Sequence, residues 1–496
     1  MNRTEMNKAM RHSQNVPGFR KYFWISLSGV AIALAGCTMI PKYQRPSAPI
    51  RSQWPAGTNT TANKPAAPAA EIGWRDFFED PRLQDVIGLA LTNNRDLRVA
   101  VLNVEATRAQ YRIARSALLP DVEGTGAYSR QRFSGNVQVG GFNKIKPFTS
   151  SQYSVSLGAT DYELDLFGRV RSLKRQALQQ YFATAEAREA AQLSLVAEVA
   201  NQYLAEREFD ELLAISQQTL GAVSNYYRLI QASFNYGNTS EIDVRSAEAQ
   251  VETARANVAT YTRQREQARN ALELLVGEPL PDDLPKPEPL ASQHLLPDLP
   301  AGLPSDLLVR RPDIRQAEDQ LRAANANIGA ARAAFFPRIT LTGSAGFSSS
   351  DLANLFAPGS HTWSFAPQIT VPIFETAYNR ANLDLAHVQK RIEIARYEQA
   401  IQTAFREVAD TLAGRSTFGE ELDAEEKLVN AEQRRYDLAS VRYRNGVDSY
   451  LAVLTAQQDL YAAQQRLIQS RYNRLTNLVS LYKALGGGWK EFTANH

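Results

Sequence analysis

Cysteine is almost absent: Cys37 is the only one in 496 residues. That excludes an intramolecular disulfide framework and any cysteine-based zinc site. Histidine is scarce, and His294, His361, His387 and His496 fall in no His-x-x-x-His or Glu-x-x-His pair. No metal site is therefore indicated. There are four methionines; beyond residue 36 only Met39 remains, which offers no soft-metal relay. Charge of one sign is missing too, with 55 Lys and Arg against 52 Asp and Glu. Nothing in that balance argues for nucleic acid. After residue 36 no run approaches the ~18–20 apolar residues of a spanning helix. There is no Gly-x-Ser-x-Gly nucleophile elbow. Leu485-Gly486-Gly487-Gly488-Trp489-Lys490 lacks the phosphate-loop spacing and is followed by Glu491, so it reads as a helix stop and not an enzyme motif. What is present is a 44% hydrophobic share, too high for a wholly disordered chain. Composition alone thus describes a large soluble protein, which the order of the residues contradicts.

The first forty residues carry a secretory signal. Arg20 and Lys21 precede an apolar core at 22–33, too short to span a membrane, and then Leu34-Ala35-Gly36-Cys37. One reading is a signal cleaved at an ordinary small-residue site. The other is a bacterial lipobox, which Leu-Ala-Gly-Cys resembles. Cys37 would then carry diacylglyceryl and N-acyl groups and become the mature N-terminus. Thr38 in the next position, by resemblance to Gram-negative sorting rules, directs the product to the outer membrane. Such an anchor tethers and does not span. Removing residues 1–36 takes away five basic residues and Glu5. The slight positive charge belongs to the signal.

The chain is written twice. Ala114-Arg115-Ser116-Ala117-Leu118-Leu119-Pro120 matches Ala331-Arg332-Ala333-Ala334-Phe335-Phe336-Pro337, 217 positions later. Glu198-Val199-Ala200 matches Glu407-Val408-Ala409, and Leu275-Val276-Gly277 matches Ala484-Leu485-Gly486, both at an offset of 209. After the signal (1–36) and an N-terminal segment (37–95), repeat 1 spans 96–277 and repeat 2 spans 305–486. Each holds a helix (96–118; 313–335) and two strands (121–167; 338–374). A very long helix (169–235; 376–444) and a shorter one (240–275; 449–484) follow. A Pro-rich link at 278–304 joins the repeats, and 487–496 is a tail.

The strand segments alternate with period two. Ile339, Leu341, Gly343, Ala345 and Phe347 fall on one face, with Arg338, Thr340, Thr342 and Ser344 on the other. Segments of roughly 10–13 residues suit a tilted membrane strand, and Tyr153, Trp363 and Phe365 suit an aromatic interface band. A sheet buried against helices fits the same alternation. Four strands cannot close a barrel in lipid, because an open edge leaves backbone groups unpaired. If they lie in the membrane, two, three or four copies must assemble, giving about 8, 12 or 16 strands. Asp161, Glu163 and Asp165, at alternate positions near a strand end, either line the lumen together or sit at a solvated junction.

A helix of about 67 residues would rise on the order of 100 Å and needs a partner seam. Ala247, Val251, Ala254, Val258, Tyr261, Arg265, Ala268, Leu272 and Leu275 supply one, spaced 4 and 3 alternately. It recurs as Ala456, Leu460, Ala463, Leu467, Ser470, Arg474, Asn477, Leu481 and Ala484. The helices turn back at Tyr236-Gly237-Asn238-Thr239 and Arg444-Asn445-Gly446-Val447-Asp448. Gly237 and Gly446 suit left-handed positions after a helix, and Thr239 and Asp448 suit N-caps.

Several motifs carry a family resemblance over essentially the whole mature chain. They are the lipobox, Ile72-Gly73-Trp74-Arg75-Asp76-Phe77-Phe78, Asn94-Arg95-Asp96-Leu97-Arg98 and Glu163-Leu164-Asp165-Leu166-Phe167-Gly168-Arg169. To these add Gly302-Leu303-Pro304-Ser305-Asp306-Leu307-Leu308, Arg310-Arg311-Pro312-Asp313-Ile314 and Tyr482-Lys483-Ala484-Leu485-Gly486-Gly487-Gly488-Trp489. Together they resemble the outer membrane factor family, TolC-like proteins, and within it the lipidated OprM-like branch. The resemblance implies an α+β membrane protein. It would be a homotrimer whose twelve-stranded barrel, four strands from each chain, continues into a helical periplasmic tunnel. The partners implied are a periplasmic adaptor protein, an inner-membrane transporter of the resistance-nodulation-division (RND) class, and outer-membrane lipid. The implied function is a passive gated duct for multidrug efflux, without a cofactor. It would open by splaying of the helix tips and carry drugs, solvents or dyes. Adaptor docking and the aperture would fall on Tyr236, Gly237, Thr239, Tyr443, Gly446, Asp448, Tyr450 and Leu451. The barrel–helix junction would fall on Phe167, Gly168 and Phe374. Where close relatives often place an Asp and an Arg, this chain has Thr455 and Gln458, so a Leu451 ring with weaker polar closure is expected. The same architecture serves type I protein secretion or metal-ion export, and a structural periplasmic lipoprotein is a further alternative.

Overall fold

The computed structural model describes residues 38–51, 53–54, 68–134, 147–293, 295–296, 299 and 304–493. The signal, Cys37, His294 and His496 lie outside them. The chain divides into two compact units. One comprises Met1–Arg45, Thr107–Tyr181 and Gln320–Glu393, and the other Pro46–Ala106, Phe182–Asp319 and Ile394–His496.

The first unit holds a four-stranded antiparallel sheet in the order β1-β2-β3-β4. The strands are Val122–Phe133 (β1), Phe148–Glu163 (β2), Arg338–Ser349 (β3) and His361–Thr370 (β4). The register aligns the alternation across the whole sheet. Tyr128 lies opposite Tyr153, Val155 opposite Phe347, Leu157 opposite Ala345, and Ala345 opposite Trp363. Cross-strand partners share a face, so one side of the sheet is apolar and aromatic. The other is lined by Ser129, Gln152, Ser154, Ser344, Ser348, Thr362 and Ser364. Ser344 and Ser364 are hydrogen-bonded there at 2.8 Å, and Gln152 donates to Ser348 at 3.1 Å. Trp363 is 73% exposed and Phe365 63%. No described strand pairs with the outer edge of β1 or of β4.

The structure separates the three acidic residues near the end of β2. The strand runs for 16 residues and shifts register between Ala159 and Tyr162, where Asp161 takes a positive φ of 52°. The bulge displaces the alternation by one residue, which puts Glu163 opposite Thr340 on the polar side, and β2 ends there, so Asp165 lies beyond the strand. Glu163 is instead paired with Arg169 at 2.7 Å and with Arg338 at 2.8 Å. Asp165 accepts hydrogen bonds from the Val170 and Arg171 amides at 3.1 and 2.8 Å, at the start of the next helix.

The helices are Pro81–Asn93 (α1), Arg95–Ser116 (α2), Arg169–Asn235 (α3), Glu241–Val276 (α4), Pro312–Ala333 (α5), Thr376–Arg444 (α6) and Tyr450–Ala484 (α7). The second unit is centred on the segment around Trp74. Trp74, Phe77, Phe78, Tyr203, Leu272 and Tyr482 are essentially sealed from solvent. Full burial of each such side chain is worth roughly 1.5–3 kcal/mol. Phe77 stacks on Tyr482 with centroids 4.0 Å apart, and Tyr482 donates to the Ile72 carbonyl at 2.6 Å. Asp80 caps α1 and also accepts from Tyr203 at 2.7 Å and Gln293 at 2.6 Å.

The duplication is visible in the backbone. Gly277 and Gly486, 209 apart, both sit at φ 86° after α4 and α7, and Val199 and Val408 are both fully buried. The seam holds over most of its length, with two departures. In α4, Val276 is buried and Leu275 only partly; in α7, Arg474 is exposed while Leu475, Leu478 and Val479 are buried. A 3.6-residue helix drifts about 20° per heptad against a strict 4-3 pattern, so an extrapolated seam rotates off the contact. Arg265 is not seam packing: it pairs with Asp210 at 2.6 Å.

Candidate functional site: the helix-hairpin tips

Both hairpins turn through the same backbone device. After α3 the Gly237 amide donates to the Phe234 carbonyl at 2.8 Å, and the Asn238 amide to Ser233 at 3.0 Å. After α6 the Gly446 amide donates to Tyr443 at 2.9 Å, and the Val447 amide to Arg442 at 2.9 Å. These are paired Schellman closures. They need a left-handed residue, and Gly237 and Gly446 supply it at φ 75° and 69°.

The N-caps lie one residue later than expected: Ser240 caps α4 and Ser449 caps α7. The Schellman turn uses the residues before them, so Thr239 and Asp448 are still in the loop. Side chains then close the two tips differently. At the first, the Ser240 hydroxyl accepts from the Asp243 amide at 3.2 Å, and the Asp243 carboxylate accepts from Ser240 and from Thr239 at 2.9 Å. These hydrogen bonds, Ser240's first, hold the Asp243 carboxyl below the usual range. At the second, Ser449 makes no side-chain cap. Arg442 reaches back from α6 to grip Asp448 at 2.5 and 3.0 Å, and that hydrogen bonding lowers the Asp448 pKa.

Beneath the turns lies a cluster of Tyr226, Ile230, Val244, Ala247, Tyr450, Val453 and Leu454, with Tyr227, Tyr436 and Tyr443 packed against it. It draws on α3, α4, α6 and α7. Tyr450 is 6% exposed, and its ring lies 5.9 Å from that of Tyr226 and 5.8 Å from that of Tyr443. Its hydroxyl has no hydrogen-bond partner among the described residues, and burial pushes its pKa up to about 12. Tyr443 and Tyr450 therefore act from inside the tip. Tyr236 (81%), Val447 (60%) and Leu451 (67%) stand exposed. Leu451, Thr455 and Gln458 form an exposed stripe along α7. The Thr455 hydroxyl already donates to the Leu451 carbonyl at 3.0 Å. Sequence reasoning missed Tyr226, Ile230 and Tyr436, although Tyr227 and Tyr436 are 209 apart and so were findable.

In the first unit, Gly168 at φ 77° turns the chain from β2 into α3. Phe167 stacks on Phe336 with centroids 4.7 Å apart, while Phe374 is 96% exposed. Tyr153, placed in the aromatic band by sequence, is joined by Tyr128 at 4.6 Å.

The profile of the outer membrane efflux protein family matches residues 86–278 and 303–487. The chain is 50% identical over 470 residues to the toluene efflux pump outer membrane protein TtgC of Pseudomonas putida, covering 95% of this chain and 96% of that one. It is 43% identical to the outer membrane protein OprJ of Pseudomonas aeruginosa over 95% and 96% of the two chains. Among solved structures, the open state of the MtrE outer membrane channel of Neisseria gonorrhoeae is similar at a TM-score of 0.83 and 43% identity. That match covers 92% of this chain and all of the other.

Proposed function

The chain belongs to the outer membrane efflux protein family, and from that premise we propose how it works. It is the outer-membrane component of an efflux pump in a Gram-negative bacterium, a transport channel for toxic small molecules. Relatives named for toluene and antibiotic efflux support a cargo of solvents and drugs. Three chains form the duct. The observation that carries this is the two-faced sheet, apolar on one side and hydroxyl-rich on the other, with β1 and β4 unpaired at its edges. In lipid such edges must be closed. Pairing β4 of one copy with β1 of the next closes a twelve-stranded barrel, with Trp363 and Phe365 toward lipid and the serines toward the lumen.

Cys37 carries the lipid anchor. The helix tips are the periplasmic mouth, where a periplasmic adaptor docks on the exposed Tyr236 and Val447 and links the duct to an RND transporter. The transporter supplies the energy. Opening is a change in helix packing that the adaptor favours by binding the open form better. At rest, the exposed Leu451 side chains of the three copies narrow the mouth. Thr455 adds little polar closure, because its hydroxyl is already committed to the backbone. Conductance of the purified protein in planar bilayers tests this. Leu451→Ala should raise the resting current, and a variant no leakier than the parent would sink the ring. Co-purification from membranes identifies the adaptor and transporter, and a chain that never conducts and brings neither down is no efflux duct.

A further inference from the structure

The first unit contains a cavity of about 690 Å³ that the duct mechanism does not use. Its walls come from four separate stretches: Thr38 to Tyr43, Tyr111 of α2, the start of α3, and the middle of α5. Arg171, Lys174, Arg175 and Arg322 line it, and no carboxylate does. Arg171 is paired with Asp165, and Arg322 lies over the Tyr43 ring. Lys174 and Arg175 make no ion pair among the described residues. Two cations thus face a cavity with nothing to neutralise them.

A second observation is independent of charge. Asn325 is 3% exposed and lines the same cavity. Its amide nitrogen donates to the Pro41 carbonyl at 2.9 Å, but its Oδ1 has no partner among the described residues. A buried acceptor left unpaired costs about 1–3 kcal/mol. The occupant that satisfies the site therefore carries both an anion and a hydrogen-bond donor. The Ile40 and Leu178 side chains add an apolar wall.

We propose that this cavity binds the headgroup of a glycerophospholipid, with the phosphate on Lys174 and Arg175 and an ammonium or hydroxyl donor on Asn325. The place fits as well as the chemistry. Thr38 directly follows Cys37, one Cα step of about 3.8 Å away, so a lipid on Cys37 would set the cavity at the membrane surface. That placement rests on the lipidation reading; the cation set and the orphan acceptor do not.

Native mass spectrometry of the delipidated full-length protein, with lipids added back, tests the proposal. Phosphatidylglycerol and phosphatidylethanolamine should bind roughly tenfold better than phosphatidylcholine, whose headgroup has phosphate but no donor. Lys174→Ala/Arg175→Ala should lose that binding by tenfold or more with the oligomer mass unchanged. Asn325→Leu should keep phosphate-dependent binding and lose the preference over phosphatidylcholine. A Cys37→Ser protein that lacks the lipid mass yet binds added phosphatidylglycerol shows the anchor and the site to be separate. Equal binding of all three lipids, unchanged binding by the double variant, or full displacement by millimolar inorganic phosphate overturns the proposal; the last would assign a free-phosphate site instead.

Discussion

If the tips are the gate, the cluster beneath them sets the closed state's stability, and two substitutions should move it in opposite directions. Ile230 is 1% exposed and packs among residues of both hairpins. Truncating a buried Ile to Ala costs about 2–5 kcal/mol, the upper part where the site cannot collapse. The partly buried Tyr227, Tyr436 and Tyr443 can relax into the space, so the lower figure is the better estimate. If opening separates the hairpins, ~2 kcal/mol taken from the closed state shifts the closed-to-open ratio about thirtyfold. Tyr450→Phe is the counterpart. It removes a buried hydroxyl that has no partner, relieving ~1 kcal/mol at the low end of that penalty. The ring packing against Tyr226 and Tyr443 remains. Resting conductance in planar bilayers should rise steeply for Ile230→Ala and fall several-fold for Tyr450→Phe. Growth of cells exposed to an antibiotic too large for the closed mouth should follow the reverse order, poorest for the leakier Ile230→Ala. An Ile230→Ala protein that is clearly destabilised in denaturant yet no leakier would refute the coupling of this cluster to the gate.

Two further outcomes concern the rest of the second unit. Asp80→Ala removes an N-cap and leaves Tyr203 and Gln293 without their shared acceptor; the sum should be about 3 kcal/mol or more, read as a lower denaturant midpoint, and a loss under ~1 kcal/mol would contradict the burial argument. Glu208 is 5% exposed, and desolvation raises its carboxyl pKa to about 7. A folded-state pKa above the unfolded one favours the fold at low pH, so stability should fall between about pH 4.5 and 7. Glu208→Gln should flatten that slope in thermal melts taken across this range.

Much of the fold was legible because it is written in period and repetition. The alternation in 338–347 fixed which side of β3 is apolar, and the cross-strand register carried that side across all four strands, with one shift at the β2 bulge. Glycines at equal offsets marked the ends of helices. What escaped was geometry that depends on a single residue's backbone or on segments far apart in sequence. Asp161 carries no signature of the bulge at its position, and the one-residue register shift there moves Glu163 to the other side of the sheet, opposite Thr340. Thr239 and Ser240, like Asp448 and Ser449, are adjacent residues equally suited to capping, and only the length of the Schellman turn selects the second. The cationic cavity draws its walls from near residue 40, from Tyr111, from near 175 and from near 325; no local pattern could have joined them.

The two tips show what a duplication preserves. The closing bonds of a Schellman turn run between main-chain atoms, so a glycine at the left-handed position suffices and the flanking side chains are free to diverge. Gly237 and Gly446 keep nearly the same φ, while the first tip is tied by a serine–aspartate capping box and the second by an arginine gripping an aspartate. The first tie is formed within one helix's opening turn and survives whatever α3 does. The second joins the last turn of α6 to the loop before α7, so rotating α6 against α7 strains it. Each chain therefore presents hairpin ends of two mechanical kinds, with the α6–α7 pair carrying both the exposed Leu451 and the exposed ion pair. Raised salt screens an exposed pair and leaves a capping box largely untouched. Ionic strength should consequently loosen the α6–α7 tips first, and Arg442→Gln should make the resting open probability both higher and independent of salt. Salt-dependent leakage that persists unchanged in Arg442→Gln would place the responsive contact elsewhere.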